Sequence, residues 1–270
     1  MHPRWLRLQV WEAVRSAAVP LAVAASGVVL QYVAVFFMAV DDRVGLTCGD
    51  ALLISMRGMD EFDAASGNVF LLDATWFLPQ FALAFAACSV VASYKQGFEM
   101  QTIIRLGTPM LWLASKIAWF LVAVAGLCVV EVVGAIVCAS VSSGALNLAF
   151  FQVSDVGMQL AGVGQRALDA SSSAATLLLA ALATFTLVLL SCVLAVVVGR
   201  VPSILITVVA LLASAFFHTN YLPFDYAMLA RSGTYAIGGF TAGEGFVVCG
   251  VLVLALVALG AYRSRRFDFL

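Results

Sequence analysis

Six apolar runs constrain this chain more than any other feature: about 17–40, 74–92, 112–139, 174–198, 203–217 and 244–262. A helix that crosses a bilayer needs about 20 apolar residues. Only the fifth run, which starts just after Pro202 and ends at His218, falls well short. The chain is 63% hydrophobic and only 11% charged, with a mean hydropathy of +1.06. Soluble domains carry about 25% charged residues, and one soluble core could not hide this much apolar surface. The expected fold class is therefore all-α: a polytopic membrane protein with six transmembrane helices in a single transmembrane domain.

Charge placement sets the expected orientation, because basic residues collect on the cytoplasmic side. With both termini inside, ten Lys and Arg fall on inner segments: Arg4, Arg7, Arg15, Lys95, Arg105, Lys116, Arg200, Arg263, Arg265 and Arg266. Four fall outside: Arg43, Arg57, Arg166 and Arg231. Acids run the other way, with Asp41, Asp42, Asp50, Asp60, Glu61, Asp63 and Asp73 all in the first outer loop. The plasma membrane is the expected location.

Between the runs the segments differ in kind. Residues 1–16, "MHPRWLRLQVWEAVRS", repeat Trp5, Leu8 and Trp11 at helical spacing and predict an interfacial amphipathic helix; a frayed polar tail is the plainer reading. The run behind them is longer than the apolar core of a signal peptide and lacks a small-x-small exit, so it reads as a retained span. The outer segments 41–73 and 140–173 read as long loops, and 199–202 as a four-residue inner loop. Residues 218–243 are too apolar for a free loop and too broken for a span. They predict a broken outer-leaflet segment packed on protein, since irregular backbone at membrane depth needs protein or water to satisfy it. If the third helix begins at Pro109, Lys116 would snorkel to the headgroups between Trp112 and Trp119.

One inner stretch breaks the apolar pattern: "SYKQGFEMQTIIRLGTPMLWLASK", residues 93–116. From Gly97 to Leu106 the residues suit a short helix. Phe98, Thr102 and Arg105 share one face; Glu99, Ile103 and Leu106 share another. Gly107 suits a left-handed helix end, Thr108 an N-cap and Pro109 the first helical position. The result is helix, corner, helix, and a stiff element joined to the third span can transmit a push. An ordinary wet inner loop is the bland alternative.

The chain has no nucleotide-binding or catalytic motif: neither G-x-x-x-x-G-K-[ST] nor G-x-G-x-x-G occurs. Its two His are far apart, and its six Cys follow no metal or redox spacing and read as packing residues. No cofactor is expected in this chain, it is not expected to be an enzyme, and nucleic acid is not an expected partner.

The run "IIRLGTPMLWLASK" resembles the inner loop of ABC-2 type transporter permeases, in which a similar Arg-Leu-Gly, then Trp, then Lys leads into the third span. The six-span layout, the N-terminal interfacial helix, the broken segment before the last span and the ending "YRSRRFDFL" resemble that family too. The resemblance implies a cytoplasmic coupling helix between spans 2 and 3, in the 94–107 region. It implies that Phe98, Glu99, Thr102, Ile103 and Arg105 contact a separate ABC ATPase dimer, which would carry ATP and Mg²⁺. It also implies a second permease as partner, among membrane lipids, and export of a hydrophobic or amphipathic molecule such as a peptide antibiotic, lipid or drug.

Glu131 stands alone inside the third run. A carboxylate at a helix centre costs roughly 2.5–3.5 kcal/mol on insertion scales, so it should face protein or water. It is a candidate pathway residue, or a carboxyl hydrogen-bonded to a neighbouring Ser or Thr that fixes packing. Gly126 and Gly134, and the alanines at 174, 175, 180, 181 and 183, suggest close helix packing. His218 reads as an interface residue rather than a proton carrier. Two other functions fit the sequence: a proton-coupled secondary transporter using Glu131, and a non-transporting membrane immunity or partner protein whose acidic outer loop binds a cationic peptide.

Overall fold

The computed structural model describes residues 22–37, 45–59, 73–92, 109–163, 170–236 and 238–264. These residues are helical throughout, with no strand among them; one isolated bridge pairs Ser232 with Phe240. The helices are α1 (Ala22–Phe37), α2 (Cys48–Ser55), α3 (Ala74–Ala92), α4 (Pro109–Ser143), α5 (Asp155–Leu160), α6 (Ala170–Val198), α7 (Arg200–Phe216) and α8 (Ala242–Ser264). Two 3₁₀ turns, Asp225–Ala227 and Leu229–Arg231, lie between α7 and α8. Three stretches are long and apolar enough to cross a membrane: Met110–Ser143, Ser172–Val198 and Ala242–Ser264. Such helices fit a membrane-embedded protein. The interfacial-helix residues 1–16 and the coupling-helix residues Phe98 to Thr108 lie outside the described residues; Pro109 opens α4.

The protein is built around α6. It touches α3, α4, α7, α8 and the first 3₁₀ turn. Along it Leu179, Ala183, Leu187, Val188, Cys192 and Val196 are all buried. Two clusters share this helix. One joins Trp112 and Phe120 of α4 to Leu83 and Val91 of α3 and Val188 and Val196 of α6. The other joins Trp76 of α3 to Leu187 of α6, Leu211 of α7, and Tyr226 and Met228 of the 3₁₀ turns.

The α6–α7 connection is one residue. Gly199 sits at φ +92°, a left-handed value that glycine adopts without a Cβ penalty. The inner loop expected over 199–202 is thus shorter than four residues. Pro202 falls in the first turn of α7, where backbone N–H groups have no helical acceptor in any case.

Both segments expected as long outer loops carry short helices that apolar periodicity does not announce. Within 41–73, Thr47 caps α2 through a capping box, accepting from the Asp50 backbone N–H at 3.0 Å while Asp50 accepts from the Thr47 N–H at 2.9 Å. Asp50 is fully buried and also accepts from the Ser154 backbone N–H at 2.7 Å and the Ser154 hydroxyl at 2.9 Å. Ser154 in turn caps α5. One carboxylate thereby locks segments 41–73 and 140–173 together, and Asp50 is buried rather than displayed on a surface. Gly157 packs directly on this carboxylate, leaving no room for a Cβ.

Two other expectations are corrected. Lys116 does not reach outward between two exposed tryptophans. Trp112 is fully buried and Lys116 is 7% exposed, its Nζ 5.9 Å from the Trp112 ring centroid. Trp112 packs among Leu83 and Val91 of α3 and Cys192 and Val196 of α6, and Lys116 lies near Cys192; beside them the last turn of α8 meets α4, with the Ser264 hydroxyl 3.3 Å from the Met110 sulfur and Gly260 facing Leu113. Close packing at glycine holds at Gly134, against the Tyr32 ring, and fails at Gly126, which faces nothing among the described residues.

Candidate functional site: a polar cavity among apolar helices

Polar side chains from five helices meet in one place. α1 supplies Gln31; α2 ends there with Ser55. α3 brings Trp76 and Gln80, four residues apart and so on one face. α4 brings Cys128 and Glu131, and α6 brings Thr184. Together with Met56, Pro79, Leu127 and Ala181 they line a cavity of about 30 Å³, room for a water or two.

Part of this polar set is already paired. The Gln80 amide Nε2 donates to the Thr184 hydroxyl at 3.0 Å, and that hydroxyl donates to the Ala180 carbonyl at 3.0 Å. The Tyr32 hydroxyl lies beside Glu131 and stands 3.1 Å from the Ser55 hydroxyl, which is also 3.1 Å from the Leu52 carbonyl. Glu131 is 8% exposed. The nearest polar side chain from another helix is Tyr32 of α1.

Four buried side-chain atoms at the cavity are left without a partner: Gln31 Oε1, Gln80 Oε1, Glu131 Oε2 and Trp76 Nε1. Buried polar groups in folded proteins are almost always paired, and each orphan costs about 1–3 kcal/mol. Four orphans on one cavity indicate that something polar belongs there. Among the described residues, no Lys, Arg or His lines it.

A second polar knot holds the end of α7. Arg231 is 3% exposed. Its guanidinium donates to the carbonyls of Ser214, Ala215 and Phe217, and to that of Met59 at 2.8 Å. It also pairs with Asp225 at 3.3 Å. The last carbonyls of a helix lack helical donors and carry the negative end of its dipole, so a cation at this point answers both. Burial pushes the Asp225 carboxyl up, while Arg231 and the Thr219 N–H at 3.1 Å pull it back. His218 stacks on Phe240 with ring centroids 4.2 Å apart, part of the same packed segment.

Glu131 was legible in the sequence; its companions were not singled out. Gln31, Gln80 and Trp76 each stand within an apolar run, and an uncharged amide in such a run is a weaker form of the same signal. Arg231 read as a surface charge, and nothing in its sequence neighbourhood marks the helix end it would cap. Phe98, Glu99, Thr102, Ile103, Arg105, Gly107 and Thr108 lie outside the described residues. Among the described residues, no group of three or more His, Cys, Asp or Glu could hold a metal ion. No protein-family model, curated protein or solved structure matches the chain.

Proposed function

We propose that this chain is the permease subunit of an ATP-driven ABC-2 type transporter, exporting a hydrophobic or amphipathic molecule with a separate ATPase. The observation that carries the reading is the punctuated stretch 93–116, with its Arg105-Leu106-Gly107-Thr108-Pro109 corner. In support, α4 starts at Pro109 and runs unbroken through Ser143. A helix of that length spans about 52 Å at 1.5 Å per residue, so a displacement at its Pro109 end would be carried through the membrane. Completing the proposal are α1, α3 and α7 as further spans, both termini in the cytoplasm, and a second permease as partner. Proton coupling through Glu131 finds less support. Relays need several ionisable groups, and among the described residues the only other titratable side chain lining its cavity is Cys128.

The test is co-purification with the ATPase subunit the proposal requires, together with transport and ATP hydrolysis by the complex. A Phe98→Ala, Ile103→Ala double variant is expected to lose the ATPase and keep its membrane fold, since truncating interface anchors can cost more than about 2 kcal/mol. Gly107→Val is expected to keep binding but lose transport. If both variants bind and transport like the parent, the segment is only a wet loop and the proposal fails.

A further inference from the structure

We propose that the cavity between α1, α3, α4 and α6 holds one water and one proton, the proton resident on Glu131. The inference does not rest on the ATP-driven reading. It rests on counting donors and acceptors.

Three of the four orphaned atoms are acceptors: Gln31 Oε1, Gln80 Oε1 and Glu131 Oε2. The fourth, Trp76 Nε1, can only donate. The nearby hydroxyls are accounted for: Thr184 donates to Ala180, Tyr32 lies on the other side of Glu131, and Ser55 lies between Tyr32 and Leu52. One water accepts from Trp76 and donates to two acceptors, which leaves one acceptor over if Glu131 is ionised, with only the weak Cys128 S–H donor at hand to meet it. A proton on Glu131 Oε2 removes the mismatch. The acid O–H and the Trp76 N–H then donate to the water, and the water donates to Gln31 and Gln80. Every orphan is paired, and the water makes four hydrogen bonds, within the range that buried waters make.

Two other occupants fit less well. A monovalent metal cation would suit the three oxygens but would face the Trp76 N–H, a donor pointing at a positive charge. Turning the Gln31 amide over would supply a second donor and let the count close on an ionised Glu131. That leaves a carboxylate in an apolar region with no cation lining the cavity, which is the costly arrangement. The titratable groups facing Glu131 are Tyr32 from α1 and Cys128 from its own helix, and neither supplies positive charge. The water and proton thus join α1, α3 and α4 across one point, with α6 attached through Thr184. Losing the proton would set the carboxylate against amide oxygens and loosen that junction.

The experiment is infrared spectroscopy of the full chain in lipid nanodiscs at neutral pH, with glutamate carboxyls labelled by carbon-13. The label separates glutamate from the buried Asp225. The chain's glutamates are Glu12, Glu61, Glu99, Glu131 and Glu244. The expected result is a protonated-carboxyl band from labelled glutamate that shifts in D₂O. It should vanish in Glu131→Gln and persist in Glu244→Gln. Glu131→Gln should unfold within a few degrees of the parent, because its amide N–H can replace the acid O–H. Should that variant fail to fold, a chain with the other four glutamates changed to Gln isolates Glu131 and gives the same reading. Absence of a protonated band from Glu131 at neutral pH overturns the proposal, and is what an ionised Glu131 beside a turned Gln31 would give. Sodium added to a choline buffer should leave band and unfolding temperature unmoved. If sodium shifts both, the site takes a metal cation and the proposal is wrong.

Discussion

α4 and α6 are the same helix by composition and different helices by position. Their most apolar windows share a mean hydropathy of 2.7, yet 22% of the α4 window is buried and 61% of the α6 window. Along α4, Val122, Val129, Val133, Val137 and Val141 all face outward, four or seven residues apart and so on one side. α6 has no comparable bare side. In lipid, an apolar residue gains little by burial against another helix. Hydropathy therefore records that a segment lies in the membrane and not which neighbours it has. Size and polarity carry that second message. Where α6 crosses its neighbours it carries Ala180 and Ala183, and it places Thr176, Thr184 and Ser191 inward.

The sharpest way to break this contrast is bulk. Ala183→Trp puts an indole at a fully buried point among Leu187, Trp76 and Leu211. It is expected to abolish the monodisperse peak of the purified protein. Gly126→Trp meets no described neighbour and is expected to leave that peak intact. If Gly126→Trp folds but no longer pairs with a second copy in crosslinking, the open side of α4 is a subunit interface rather than a lipid face. Truncation gives a smaller effect. Leu187→Ala should cost roughly 2–5 kcal/mol, the range for a large buried side chain, whereas Val133→Ala should stay within about 0.5 kcal/mol, as surface changes do. Unfolding in mixed micelles measures both, and equal costs would mean that the α4 ridge is covered in the folded protein. The smallest expected effect lies in the polar contacts. The Thr176 hydroxyl stands 2.8 Å from that of Thr234 and 3.3 Å from that of Ser232. Thr176→Val should cost about 1 kcal/mol and raise amide exchange around residues 232–235 before it changes the global unfolding temperature.

Legibility in the sequence follows the same division. Helix positions could be read because apolar runs have ends, and the Pro at 109 marks where α4 begins. Glu131 could be read because a lone acid in an apolar run is costly wherever it points. The cavity around it could not, because it depends on the rotation of α1, α3, α4 and α6 about their axes. No single run encodes that relation. α2 and α5 were missed for another reason: they are eight and six residues long, too short for periodicity to register. They are specified by the caps Thr47 and Ser154 and by one shared carboxylate, Asp50. Arg231 was counted with the outer charges, since a residue that caps a helix 15 positions upstream carries no local mark.

The one-residue turn at Gly199 bears on how the chain is made. α7 has 17 residues and extends about 26 Å, short of a hydrocarbon core of about 30 Å, and its first turn carries Arg200 and Pro202. Such a segment is a poor substrate for insertion by itself. If α7 spans the membrane as proposed, then, tied to α6 by a single glycine, it would enter together with α6 as one hairpin. The carbonyls at its far end would then stay uncapped until Arg231 has been synthesised and folded back. Biogenesis of this region therefore has an order built into it, and a ribosome paused between residues 217 and 231 would hold an insertion intermediate that lacks its cap.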